Sequence, residues 1–416
     1  MRPTPPLIAH AAAALAELLR FARPADQALS AYFRRHRNLG QQDRAFVAET
    51  AFAVLRRRRS LEAAAGSAAP RDLAVAALVR VFGLSARALG EDAAFAARVK
   101  AAPQADLPAA VRADLPDWLW QRLVAAHGEP EAAAIAQGLL APAPLDLRVN
   151  LDKATREQAL AQLGAGAAST RIEGTPTALS PAGIRLRGKP AINRHALFLA
   201  GALEVQDEGS QLLAYLVAPR RGEMVADFCA GAGGKTLALA MLMHGTGRVY
   251  AMDVSEKRLR ELAPRAARAG ISSVQPIVLS GEGDVRAKRL AGKLDRVLVD
   301  APCSGFGTLR RNPDLKWRHA ETAIAELAAK QARILHAAAK LVKPGGRLVY
   351  ATCSILPEEN EAVADAFAAA HAEFEPLDCS ALLAAQRIPL DTGSRFRLWP
   401  HVHGTDGFFA AAFRRA

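Results

Sequence analysis

The chain has 416 residues, 51% hydrophobic and 23% charged, which excludes a disordered or fibrous protein and leaves room for two or three domains. No apolar run is long enough to span a bilayer, the first ten residues lack the layout of an export signal, and the four cysteines, none with CxxC spacing, form neither a disulfide framework nor a zinc site. The expectation is a cytoplasmic protein with no metal, no membrane and no obligate protein partner, whose net charge of +13 calls for a polyanion, nucleic acid first.

Residues 7 to 89 read as helical. Leu15, Leu18, Leu19 and Ala22 share a helical face, as do Val47, Thr50, Ala51 and Val54, and then Val75, Leu78, Val79 and Phe82. Basic residues lie between them: Arg34, Arg35, Arg37, Arg44 and the run Arg56 to Arg59. Met1 to Pro130 holds 18 Lys and Arg against 12 Asp and Glu, a net of +6. The run reads equally as a solvated helix end or as a phosphate-contacting face. Residues 90 to 115, rich in Ala, Pro and Asp, read as a connecting segment, and Pro116-Asp117-Trp118 opens another helix.

A small α+β domain follows, with a strand at Leu145 to Asn150 and a helix near Arg156 to Leu163. Gly/Ser/Thr turns come next, then short strands through Ile184 to Leu186. From about Phe198 strands and helices alternate. Apolar runs end at Asp227, Asp253, Leu279, Asp300 and Thr352, with helical stretches such as Glu256 to Ala269 and Ala320 to Leu341 between them. This is the pattern of an α/β, doubly wound, mostly parallel sheet. Arg395 to Trp399 and Phe408 to Phe413 read as a closing hairpin. The domains predicted are 1–125, 126–200 and 201–416.

In the third domain a strand ends at Asp227 and runs into Phe228-Cys229-Ala230-Gly231-Ala232-Gly233-Gly234-Lys235-Thr236. Strand, Gly-rich turn, helix makes a ligand site at the carboxyl edge of a sheet. A P-loop needs Gly where Cys229 stands, and the dinucleotide pattern needs Gly where Thr236 stands. A nucleoside ligand without pyrophosphate remains, S-adenosylmethionine being the common one. Asp253 ends the next strand, where an acid takes ribose hydroxyls.

Two further strands run into Asp300-Ala301-Pro302-Cys303-Ser304-Gly305 and Thr352-Cys353-Ser354. Thiols at strand ends beside such a cofactor suit methylation of a pyrimidine at C5. A thiolate adding to C6 makes C5 enamine-like, an acid near N3 stabilises the adduct, and a base removes the C5 proton so that the thiol leaves. Asp300 is placed to act at N3. Position alone leaves open whether Cys303 or Cys353 attacks. Cys379 has no flanking motif and reads as a small core residue.

These three motifs resemble those of the Nop/Sun family of RNA cytosine-5 methyltransferases. Val205 to Glu208, Arg310 to Trp317 and Asp406 to Phe409 resemble further family segments. The helical N-terminus, through Leu39 to Phe46, resembles the NusB-like RNA-binding domain of bacterial members that modify 16S rRNA. The resemblance implies a seven-stranded Rossmann-like methyltransferase sheet, a ferredoxin- or RRM-like RNA-binding middle domain, and 16S rRNA, free or in an early assembly particle, as partner. It implies that Cys353 attacks and Cys303 assists release. Cys229, Ala230, Gly231, Ala232, Gly233, Gly234, Lys235, Asp253 and Asp300 would line the cofactor and target site, with Glu282 or Asp284 at the adenine. The chain has Gly231-Ala232-Gly233 where the family commonly has Ala-Pro-Gly, which implies a looser turn. The competing readings are a DNA cytosine-5 methyltransferase attacking through Cys303, a non-catalytic RNA-binding or assembly factor, an enzyme acting on another RNA such as tRNA, and an NAD-dependent oxidoreductase, disfavoured by Thr236.

Overall fold

A computed structural model describes residues 3–165 and 171–416. The chain forms two compact units: Met1–Pro142 with Thr308–Glu321, and Ala143–Gly307 with Thr322–Ala416.

The first unit is helical. Helices Pro5–Leu18, Ala25–Arg35, Gln41–Arg56, Arg58–Ala65 and Pro70–Arg80 enclose a core that includes Ile8, Leu15, Val47, Val54, Leu73 and Leu78. The apolar faces read from the sequence point inward, except that Ala22 lies beyond the first helix and is exposed, and Phe82 lies beyond the last of these helices and is 43% exposed. Residues 90 to 115 are not a connector. They form the end of a 3₁₀ turn at Ala86–Asp92 and helices Ala93–Ala101 and Ala109–Arg112. Alanine is the best helix former, and Leu89, Ala96 and Val99 are buried in the helical core. The prolines mark the helix ends, with Pro108 capping the second helix.

The Arg56 to Arg59 run is also not a free phosphate-binding face. Arg56 donates to the carbonyl of Arg310 at 3.0 Å, and its own carbonyl accepts from Lys316 Nζ at 2.7 Å. Arg58 pairs with Glu62 at 2.7 Å and lies 5.6 Å from the rings of Phe21 and Trp317. Arg59 bonds the Leu115 carbonyl at 2.7 Å and Asp117 at 2.6 Å. Arg56, Arg58 and Arg59 therefore tether Thr308–Glu321 and the turn at 114–117 to the helices.

The second unit carries two sheets. The first pairs β2 (Gly174–Pro176), β3 (Gly183–Leu186), β1 (Leu145–Val149) and β4 (Leu203–Val205) in that order, all antiparallel. Helix Arg156–Gly164 opens with a Thr155–Gln158 capping box. Part of the Gly/Ser/Thr turn expected after it lies outside the described residues. The second sheet holds β5 (Met224–Asp227), β6 (Arg248–Asp253), β7 (Val274–Val278), β8 (Leu294–Asp300), β9 (Val342–Thr352), β10 (Phe374–Leu377), β11 (Phe396–Leu398) and β12 (Phe408–Arg415). Its order is β10-β12-β9-β8-β5-β6-β7, seven strands as expected, with β11 added beside β12 as the hairpin. Strands β5 to β9 are parallel, and β12 runs antiparallel between β9 and β10. The helix expected over Glu256 to Ala269 is split into Glu256–Arg260 and Leu262–Ala269. Pro264 has no N–H to bond the preceding turn and so falls in the first turn of a new helix.

Among the described residues no helix is long and apolar enough to cross a membrane, and no cluster of three His, Cys, Asp or Glu side chains could hold a metal ion.

Lys316 in the first unit is 3% exposed, and burial lowers its ammonium to about 7 although Asp114 opposes the shift. The folded value lies below the unfolded one, so stability is held back at low pH and regained as pH rises from about 7 to about 10. Unfolding free energy should rise over that window by on the order of a few kcal/mol, and Lys316→Met should flatten the rise. Denaturant titrations showing the same pH slope in both proteins would contradict this.

Candidate active site

Strand β5 has β6 on one side and β8 on the other, so chain order reverses at β5 and a crevice opens at the strands' carboxyl ends. The Gly-rich turn follows β5 there. Gly231 and Gly233 have φ of 56° and 85°, the left-handed region that favours glycine. A Cβ on Gly233 would meet Leu262 Cδ1 at 2.2 Å. The turn lacks proline but is braced otherwise: Gly231 N–H donates to Asp253 Oδ2 at 2.8 Å, and Arg265 donates to the Ala232 carbonyl at 2.5 Å. Below it Arg148, buried in β1, donates to the Gly234 carbonyl at 2.8 Å.

A cavity of about 470 Å³ opens beside this turn, and its wall brings together Cys229, Asp253, Glu282, Asp300, Cys303 and Cys353. Asp253 Oδ1 also accepts from Ser255 N–H at 2.7 Å. A carboxylate offers roughly four lone-pair sites, so acceptors remain on Asp253 for a diol. Glu282 reaches Arg333 at 3.3 Å from the cavity wall. Asp284 is elsewhere. It caps helix Val285–Lys288, accepting from Ser280 N–H and Arg286 N–H at 2.7 Å each, and it pairs with the Arg286 guanidinium. Those bonds hold its carboxyl well below the usual range. Ala230 and Gly231 to Gly234 form the backbone of the turn. Phe228, Leu279 and Ile334 supply apolar wall. The volume is typical of a small-molecule site, and an apolar slot flanked by two acids fits a nucleoside with ribose hydroxyls and an exocyclic amine.

Lys235, from the helix after the turn, donates to Asp300 at 2.7 Å. Burial alone would lower the lysine, but Asp300, with smaller help from Cys353 and Asp227, outweighs it and raises Lys235 above its ordinary value. Asp227, at the end of β5, is 1% exposed. Burial pushes it up to about 7, against the hydrogen bond from Thr236 at 2.7 Å.

The register of β8 on β9 sets Asp300 opposite Ala351, so the two cysteine turns emerge side by side. Cys303 Sγ and Cys353 Sγ are 3.4 Å apart. The hydrogen bond to Cys353 and burial together push the Cys303 thiol well up. Burial and the carboxylates of Asp227, Asp300 and Asp253 do the same to Cys229. Cys379 is a fully buried core residue, its thiol raised by burial to about 11. Reading the sequence missed Arg148, Arg258 and Lys330, the last two on the cavity wall, and Glu359 beneath the cysteines. None carries a motif of its own, although Glu359 follows Cys353 closely enough to have drawn notice.

A doubly wound sheet with a nucleoside cavity at its switch point and thiols beside it defines an α/β methyltransferase, and S-adenosylmethionine is its cofactor. Residues 214–414 match the family described as 16S rRNA methyltransferase RsmB/F, and residues 115–193 match the ferredoxin-like domain of RsmF/B-like methyltransferases. The ribosomal RNA small subunit methyltransferases B of Shewanella oneidensis and Pasteurella multocida are each 35% identical over 302 and 308 residues. Those alignments take in 72% of this chain and 67% and 65% of the relatives. The chain thus spans about two thirds of the length of these relatives. The solved methyltransferase homologue of Pyrococcus horikoshii is 31% identical, with a TM-score of 0.62 over 74% of this chain and 98% of that one. The chain belongs to the RsmB/F family of rRNA methyltransferases.

Asp253→Ala should weaken S-adenosylmethionine binding by roughly 1.5–3 kcal/mol, the range for hydrogen bonds to a charged group. Glu282→Ala should weaken it too, whereas Asp284→Ala should leave it nearly unchanged. Calorimetry giving the larger loss for Asp284→Ala than for Glu282→Ala would reverse the placement.

Proposed function

We propose that the protein methylates C5 of a cytosine in 16S rRNA through a covalent cysteine adduct, in a cytoplasmic setting. The observation that carries this reading is the pair of thiols 3.4 Å apart beside Asp300. The Cys353 sulfur adds to C6 of the base as its proton passes to N3, moving the ring electrons toward C5. Bound S-adenosylmethionine would supply the electrophilic methyl group that C5 takes, leaving as the thioether. Asp300, fixed by Lys235, faces the N3 edge of the base and steadies the adduct. A base then removes the C5 proton, the electrons return to form the C5–C6 double bond, and the sulfur leaves and recovers its proton from N3.

The division of labour between Cys353 and Cys303 follows the family resemblance of the two cysteine motifs. The opposite assignment, with Cys303 attacking, is the one a DNA enzyme would use. The curated relatives named above are rRNA enzymes, which supports RNA as the substrate.

The helical unit is proposed to add RNA affinity, through Arg34, Arg37 and Arg44 of the basic residues noted in the sequence and not through the Arg56 to Arg59 run. Arg34, Arg37 and Arg44 line an open cleft of about 590 Å³ together with Phe33 and Phe52. Arg44 lies 5.9 Å over the Phe33 ring. Cationic groups interleaved with aromatic rings suit a phosphate chain with unpaired bases.

Labelled methyl transfer should go to 16S rRNA and not to duplex DNA or tRNA. Transfer to DNA or tRNA alone, or to none, would overturn the reading. Replacing Arg34, Arg37 and Arg44 together by Ala should reduce the slope of log affinity against log salt by about 2. An unchanged slope would remove the cleft from the RNA path.

A further inference from the structure

One buried carboxylate joins the two cysteine-bearing turns. Glu359 is 0% exposed. Its Oε1 accepts from the Ser304 N–H at 2.8 Å and from Gln331 Nε2 at 3.0 Å. Its Oε2 accepts from the Ser304 hydroxyl at 2.6 Å and from the Ser354 hydroxyl at 2.5 Å. Each cysteine is thus followed by a serine whose hydroxyl ends on the same oxygen. The surrounding bonds serve the same two turns. Gln331 also reaches the Pro302 carbonyl at 3.0 Å, and the Tyr350 hydroxyl bonds Gln331 Oε1 at 3.1 Å and the Glu359 carbonyl at 2.5 Å. Asn360 donates to the Ser354 carbonyl at 3.1 Å and accepts from the Thr352 hydroxyl at 2.5 Å.

A carboxylate is costly to bury, and these four donors are all neutral. The hydroxyls alone could bond each other, as Ser304 and Ser354 nearly do at 3.2 Å. An acid there needs a reason beyond filling space. A carboxylate is acceptor-only, so it can draw donors from two separate turns onto one point. A glutamine in its place carries two donors of its own and would face the Ser304 N–H or a hydroxyl with the wrong group.

We propose that Glu359 is a positioning residue that sets the distance and relative orientation of the Cys303 and Cys353 thiols. This rests on the reading of those thiols as the reacting pair. The carboxylate touches neither the cavity nor either sulfur, and acts through Ser304 and Ser354. Its charge is also among the influences that raise the Cys303 thiol, after the Cys353 contact and burial.

The test uses the full chain and does not depend on methyl transfer. Two thiols held in contact form a disulfide readily when glutathione disulfide is the oxidant. The pair gives up two protons and two electrons, and two molecules of glutathione are released. The equilibrium constant for the Cys303–Cys353 disulfide, read by mapping that peptide pair across glutathione buffers, should fall at least about tenfold in Glu359→Gln. The turnover number for labelled transfer to rRNA should fall similarly, with KM for rRNA unchanged. Circular dichroism checks folding. If Glu359→Gln does not fold, the Ser304→Ala, Ser354→Ala double variant retains the carboxylate with its Ser304 N–H and Gln331 donors, and it should show a several-fold fall in the same constant. A disulfide equilibrium equal to that of the unaltered protein overturns the proposal. So does a lowered equilibrium with an unaltered turnover number. Absence of methyl transfer in the unaltered protein would instead overturn the functional reading and leave the disulfide result standing.

Discussion

Parallel pairing of β8 with β9, with Asp300 opposite Ala351, brings Asp300, Cys303 and Cys353 together. The strands are connected through a long excursion, yet the register delivers Pro302-Cys303-Ser304 and Thr352-Cys353-Ser354 to the same edge at the same height. A shift of one residue would turn alternate side chains to the opposite face and part the two sulfurs. On the other side of β8, β5 pairs through Asp227 and Leu298 and brings the Gly-rich turn and Lys235 to Asp300. Three sequence motifs become one site because three parallel strands end at one line.

The electrostatics of that line follow from burial. Asp227, Asp253 and Asp300 lie close enough for their charges to act on Cys229, and those of Asp300 and Asp253 to act on Asp227. The protein accommodates three acids by giving each a different partner. Asp253 accepts two backbone N–H groups, Asp300 takes the Lys235 ammonium, and Asp227 accepts from Thr236 and is pushed toward neutrality. The result is a cavity whose wall carries Asp253, braced by backbone N–H groups, and Asp300, paired with Lys235, beside Cys303 and Cys353.

Much of this was legible in the sequence because the relevant chemistry is local. Glycine at Gly231 and Gly233 is required by positive φ and by Leu262, and a strand ending in Asp or Thr before a cysteine marks a carboxyl edge. What was illegible depends on partners distant in the chain. The Arg56 to Arg59 run looks like a nucleic-acid face until Arg310, Lys316 and Asp117 are seen to engage it. Residues 90 to 115 look like a linker because proline and alanine suggest one, whereas burial of Leu89, Ala96 and Val99 makes helices of them. Glu282 and Asp284 have similar sequence claims, and only the fold shows one on the cavity wall and the other capping a helix. Glu359 lies a few residues past Cys353, but its tie to Ser304 crosses between strands.

The claim on which the functional reading turns is that Cys353 attacks and Cys303 releases. Full-length Cys303→Ala, incubated with 16S rRNA and S-adenosylmethionine, should retain attack and methyl transfer but stall before release. It should appear on a denaturing gel as a slow-migrating protein–RNA complex. Cys353→Ala should form no such complex and transfer no methyl group. A trapped complex with Cys353→Ala instead would reverse the assignment, and full activity in both variants would contradict a covalent mechanism altogether.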